Sequence, residues 1–282
     1  MRLAIAFLTT ALFAMAPPAA GSDAAPLPPP SDSECKALPP IHTPLSFATG
    51  EILEYDLDAM GIAQAGRLTM HVLPVREGKL PVEVKAQTNT LFSKVRRVKG
   101  LATTYLDLET LHPVRYIEDG TENEIRKHAA VSFSAKDHSV QVEYKTGNQA
   151  GQLKFRYAND GLDAAATVYL LRQLPLKQGS ALCLDVYGLR RLWRLSGKVE
   201  AREHVSLTIG EFEAWHLSGT AVRLDDHRHR REVHLWISDD QRRLPLAVVG
   251  AIDLGSVRAR LTAFSRPGEK SVRAQGKETL KW

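Results

Sequence analysis

The chain has 282 residues, 44% apolar and 24% charged, which fits a soluble globular protein of one large domain or two small ones. Lys and Arg number 37 against 32 Asp and Glu, and the resulting +5 is a small excess spread along the chain, too weak a signal to point to nucleic acid.

The chain opens with "MRLAIAFLTTALFAMAPPAAGS". Arg2 precedes an apolar run from Leu3 to Ala16, and small residues follow at Ala19, Ala20 and Gly21, the pattern of a cleavable secretory signal over residues 1–21. The run is short of the roughly 20 residues that cross a bilayer, and no second apolar stretch of that length follows, so the chain is not expected to be an integral membrane protein. No Cys stands at the cleavage point to accept a lipoprotein anchor. The expected address is the periplasm of a Gram-negative host, or the exterior. Residues 22–46 form a Pro-rich leader, with "APLPPPSDSECKALPPIHTP" reading as extended chain.

Two cysteines, Cys35 and Cys183, travel to a compartment that permits disulfides. A bond between them would tie the leader to the middle of the chain; the alternative is a pair of free thiols, one buried beside Leu182 and Leu184.

From Phe47 the dominant signal is alternation with period two. Leu53, Tyr55 and Leu57 oppose Glu54 and Asp56. Val82, Val84, Ala86 and Thr88 oppose Glu83, Lys85, Gln87 and Asn89. Val140, Val142 and Tyr144 oppose Gln141, Glu143 and Lys145, and Leu153, Phe155 and Tyr157 oppose Lys154 and Arg156. Antiparallel strands with one wet face give this pattern, whereas buried parallel strands read as continuous apolar runs. Turn residues in "REGKLP", "KTGNQAG", "SDDQRRLP" and "DLGS" separate the strands at hairpin spacing. One segment differs: Asp163 is a candidate N-cap, alanines follow, and Leu162, Ala166, Tyr169 and Leu170 recur at helical spacing before Pro175. The expected architecture is mainly β: a curved antiparallel meander, half-barrel or barrel-like, of about twelve strands in a single domain over 47–265. One principal helix at about 163–173 lies toward the concave dry face. Residues 266–282 lose periodicity and read as a mobile tail.

Four runs, "FATGEILEYDLDAMGIAQAGRLTM", "YLDLETLHPVRY", "DAAATVYLLRQLPLKQG" and "LWISDDQRRLPLAVVGAIDLGSVRARL", resemble in order and spacing an exported bacterial family, domain of unknown function 3108. The resemblance spans about residues 47–264. It implies an exported, mostly-β protein of unassigned role and supplies no catalytic residues. By fold analogy alone, such a sheet is similar to the half-barrel carriers of lipids and lipoproteins.

The loudest segment is "DDHRHRREVHLW", Asp225 to Trp236. With a strand over Arg231 to Ser238, Val233, Leu235 and Ile237 share one face and Glu232, His234 and Trp236 the other. His227 and His229 then fall on the side of Val233, opposite His234. Asp225 could join His227 and His229, but the set is short of a metal site, and a charged hairpin end explains the residues as well. The carboxylates Asp225 with Asp226, Asp239 with Asp240, and Asp160 near Asp163 could in principle run acid-base chemistry; each sits where a turn or helix cap wants short polar side chains. The basic segment "SKVRRVKG", with Lys94, Arg96, Arg97 and Lys99, could meet lipid head groups or an anionic polysaccharide, or form a solvated face. The aromatics Tyr55, Phe155, Tyr157, Tyr169 and Trp236 read mostly as core. There is no G-x-S-x-G elbow, P-loop, dinucleotide fingerprint or C-x-x-C.

The reading is therefore an exported envelope protein with no catalytic residue, metal or cofactor assigned. It is expected to bind an apolar, lipid-like ligand or an envelope partner, and not nucleic acid. The alternative is an envelope hydrolase acting on polysaccharide or peptide.

Overall fold

A computed structural model describes residues 35–59, 62–252 and 255–274. The signal segment, the first part of the leader and the last eight residues fall outside the described residues. The element order is β1 (Ile52–Ala59), β2 (Ile62–Val72), β3 (Lys79–Thr88), β4 (Val98–Asp107), β5 (Pro113–Glu122), β6 (Ile125–Ser134), β7 (Ser139–Thr146), β8 (Gln149–Arg156), β9 (Gly161–Asp163), α1 (Ala164–Leu171), β10 (Ala181–Gly188), β11 (Arg191–Leu207), β12 (Gly210–Arg223), β13 (Arg230–Ser238), β14 (Pro245–Ile252), β15 (Gly255–Ser265) and β16 (Val272–Arg273).

The strands form one sheet in the order β8-β7-β6-β5-β4-β3-β2-β1-β15-β14-β13-β12-β11-β10-β9, with β16 added to β15. It consists of two antiparallel meanders, β1 to β8 and β10 to β15, joined where β1 pairs with β15. Among the described residues, the one parallel pair is β9 with β10. Among the described residues, sixteen strands replace the expected twelve or so, because long alternating stretches divide at turns that carry few Gly or Pro signals, such as Asn123 and Glu124, both at positive φ.

The sheet curls until its two ends touch. Tyr187 of β10 and Leu192 of β11 pack with Val131, Val140 and Val142 of β6 and β7, and the Ala158 amide after β8 donates to Asp185 of β10 at 2.8 Å. Side chains close this barrel-like shape, since β8 and β9 share no backbone ladder. Inside lies α1, with Ala165, Ala166, Thr167, Tyr169, Leu170 and Leu171 all buried. Apolar residues around most of its circumference suit a helix enclosed by sheet. Asp163 caps it by accepting from the Ala166 amide at 3.0 Å, and the helix stops two residues sooner than expected, Arg172 already serving as its C-cap.

The leader's latter half has no regular structure but is docked. Leu38, Ile41 and Leu45 pack on the core, the Leu38 amide donates to Asp160, and Cys35 is joined to Cys183 in a disulfide. The C-terminal segment also returns to the fold, as β16 pairs Arg273 with Ala263 and Val272 with Phe264. The part of the expected tail up to residue 274 is thus attached to the sheet.

Candidate functional site

Each residue singled out from sequence has a definite place. In β13, Leu235 and Ile237 are buried while Glu232, His234 and Trp236 look outward, as the alternation requires. His227 and His229 stay in the β12–β13 turn. There Asp226 accepts from the Arg228 amide and guanidinium, and the hydrogen bond from Arg228 holds its carboxyl well below the usual carboxylate range. Asp225 pairs with Arg223. Asp240 accepts from Ser238, Arg242 and the Arg243 amide, and Asp239 accepts from the Trp215 indole at 2.8 Å. Asp160 binds His112 at 2.8 Å and the Leu38 amide. All these carboxylates hold turns, caps or the leader in place.

His234 meets an imidazole that sequence reading did not pair with it. Its Nδ1 shares a 2.9 Å hydrogen bond with Nε2 of His216 on β12. Glu203 on β11 accepts from both the His216 Nδ1 and the Trp236 indole at 2.8 Å, and the His216 ring stacks on Trp236 with centroids 4.6 Å apart. Three strands thus tie one outward patch together. Among the described residues, no group of three or more His, Cys, Asp or Glu is arranged to hold a metal ion.

Of the remaining aromatics, Tyr55 donates to the Pro245 carbonyl in the core, Tyr169 stacks edge-on with Phe47, and Phe155 packs near Tyr187. Helix α1 and these side chains pack one part of the concave face, whereas a Cβ on the inward-facing Gly100 would meet nothing within 4 Å.

An open feature lies on the opposite face of the first meander. A groove of about 940 Å³ crosses β1 to β7. Strand register builds it from two rows. In one, Arg67, Gln87, Lys99, Thr121 and Arg126 are successive cross-strand partners. In the other, Thr69, Lys85, Leu101, Asp119, His128 and Lys145 follow one another. Strands lie about 4.8 Å apart, so Arg67, Lys99 and Arg126, on alternate strands, recur at a spacing of about 10 Å. Ala86, Gly100 and Gly120 point to the other face and give the floor only main chain.

The charge balance is one-sided. The groove's two acids are engaged, Glu54 with Arg273 and Asp119 with His128. Arg67 is largely exposed and only loosely paired with Asp56 at 3.8 Å. Among the described residues, Lys99, Arg126 and Lys145 have no acidic partner. Of the basic segment picked out from sequence, only Lys99 reaches the groove. Arg96 pairs with Glu122, Arg97 with Glu124, and Lys94 stays exposed beyond it.

The model of a family described as a protein of unknown function, DUF3108, matches residues 54–262. The chain belongs to the DUF3108 family. In fold, this DUF3108 protein is similar to the crystal structure of a beta-barrel-like protein, domain of unknown function DUF1849, from Brucella abortus. Identity is 10%, the TM-score is 0.53, and the match covers 78% of this chain and 98% of that one. A hypothetical protein from Chlamydia trachomatis also matches, at 10% identity and a TM-score of 0.32 over 82% of this chain and 94% of that one. No curated protein is significantly similar. Among the described residues of the DUF3108 chain, no helix is long and apolar enough to cross a membrane.

Proposed function

We propose that this DUF3108 protein is an exported, non-enzymatic binding protein of the cell envelope, and that its groove takes an anionic envelope component. The observation that carries the reading is the row Arg67, Lys99 and Arg126, three outward cations at regular intervals with neither Lys99 nor Arg126 matched by an acid. Repeated cations on a rigid sheet suit a ligand that repeats its own negative charge, such as an acidic polysaccharide, because several weak, screened contacts then act together. Export is supported by the signal-like N-terminus and the bonded cysteine pair.

Dextran sulfate is a suitable probe, with neutral dextran as control. Calorimetric titration is expected to show binding that weakens as salt rises. In the variant Lys99→Glu with Arg126→Glu, affinity is expected to fall roughly tenfold or more, each reversal acting on a local field screened over about 8 Å at physiological salt. Reversal of Lys154 on the edge strand β8 should leave it unchanged. Equal affinity of the groove variant and the parent protein would remove this reading.

One observation favours the hydrolase alternative: His128 Nδ1 lies 2.8 Å from Asp119 inside the groove. A histidine held by a carboxylate can act as a base. Both side chains are half exposed or more, however, and among the described residues neither hydrogen-bonds to a Ser, Thr or Cys that could serve as nucleophile. Release of reducing ends from an acidic glycan, lost in His128→Ala, would establish that alternative.

A further inference from the structure

The turns at one end of the barrel form a continuous rim. Arg97, in the β3–β4 loop, exchanges hydrogen bonds with Asn123 at the β5–β6 turn. The Gly147 amide at the β7–β8 turn donates to the Arg126 carbonyl. Across the seam where the two sheet ends meet, Arg190 of the β10–β11 turn reaches Thr146 and lies over the Tyr144 ring at 4.7 Å. Arg191 then pairs with Asp225 of the β12–β13 turn.

This rim carries four large apolar side chains that burial does not explain: Leu91 is 63% exposed, Val95 60%, Ile125 51% and Leu189 72%. Cations stand among them at Lys94, Arg97, Arg126, Arg190 and Arg228; Arg97 and Arg228 pair with the rim acids Glu124 and Asp226, while among the described residues Lys94, Arg126 and Arg190 have no acidic partner. Leu189 and Arg190 also occupy positive φ, 53° and 58°, in a two-residue turn that Asn and Gly would fill without strain. A strained, exposed leucine at a hairpin tip is not what stability selects.

We propose that this rim is a docking face for the headgroup surface of an anionic bilayer, with Leu91, Val95, Ile125 and Leu189 dipping into the acyl boundary while the neighbouring cations meet lipid phosphates. The arrangement favours a bilayer over a protein. A protein interface needs one contiguous dry core, but these four apolar tips are distributed around the rim over three separate turns. A fluid surface can receive each tip separately, and the long stems of Lys and Arg let their charges stay at the phosphate level. The opposite rim is sparser and mixed in charge: its exposed Leu108 sits between Asp107 and Glu109, and Val75 beside both Arg76 and Glu77. The inference rests on the envelope location proposed above, but not on the ligand of the groove.

The test is flotation of the exported chain with vesicles of equal parts phosphatidylcholine and phosphatidylglycerol, beside vesicles of phosphatidylcholine alone. Binding is expected to the mixed vesicles only. The variant Leu91→Asp with Val95→Asp should lose it by roughly tenfold or more while still binding dextran sulfate, since each tip contributes its buried apolar area separately. Leu189→Asn, which relieves the turn, should raise the melting temperature and yet weaken vesicle binding. In Leu91→Trp, indole emission should shift to the blue on adding mixed vesicles and stay fixed with dextran sulfate. Charge reversal in the groove at Lys85 and Lys99 should abolish polyanion binding and spare the vesicles, so the two ideas can fail separately. Absence of binding to the mixed vesicles overturns the proposal, as does binding that persists undiminished in the Leu91→Asp, Val95→Asp variant.

Discussion

Arg172 at the end of α1 and Glu51 just ahead of β1 face each other inside the barrel, with hydrogen bonds of 2.6 and 3.0 Å from the two guanidinium nitrogens to the two carboxylate oxygens. Both side chains are shielded from water, and Arg172 also donates to the carbonyls of Arg242 and Arg243. One guanidinium therefore fixes the helix end to β1 and to the β13–β14 turn.

Breaking that pair from one side should be costly. Glu51→Ala leaves Arg172 charged and buried, and a loss of about 3–5 kcal/mol in urea unfolding is expected. Replacing both, as Glu51→Leu with Arg172→Met, should cost clearly less than the two single losses added together, because no unpaired charge remains. Additive losses would contradict this account.

Asp163 gives the fold a pH dependence. Burial pushes its carboxyl up to about 6, against an ordinary 3.8, although Thr104 and the Ala166 amide both donate to Oδ1. A carboxyl raised in the folded state binds its proton more tightly there than in the unfolded chain. Its contribution to stability is thus complete below about 3.8 and is lost as pH rises through about 6. The span is of order 3 kcal/mol at about 1.4 kcal/mol per unit. Relative to Asp163→Asn, the parent protein should gain stability as pH falls from 7.5 toward 4. Parallel urea midpoints for the two proteins across that range would rule out a titrating Asp163.

The disulfide closes a separation of 148 residues between the leader and β10. Constraint of the unfolded chain by so long a loop is worth roughly 4–5 kcal/mol at most. Cys35→Ser should lower the melting temperature, and a reducing agent should lower that of the parent but not of the variant.

Two glycines facing each other across β4 and β5 should respond oppositely to a methyl group. A Cβ on Gly120 would stand 2.8 Å from the Lys99 carbonyl oxygen, whereas one on Gly100 would meet nothing within 4 Å. Gly120→Ala is expected to cost about 1–3 kcal/mol through backbone displacement, and Gly100→Ala to stay within about 0.5 kcal/mol of neutral. A thermal shift assay on the two variants separates these outcomes directly.

What the sequence determined by itself is local. Alternation at Leu53, Tyr55 and Leu57, or at Val140, Val142 and Tyr144, sets which side of a strand is dry, since successive side chains point to opposite faces. Asp163 followed by alanines and Tyr169 announced the buried helix, and the four spaced runs pointed to the DUF3108 family. The tertiary structure decided which wet residues become neighbours. His234 meets His216, Arg67 aligns with Lys99 and Arg126, and Leu189 joins the rim of Leu91, only through hairpin registers and the side-chain closure between Tyr187 and Val131. A slip of one residue in any register would move a whole row to the other face. No single strand carries that information, so the groove and the rim emerge only when the sheet is assembled and curled.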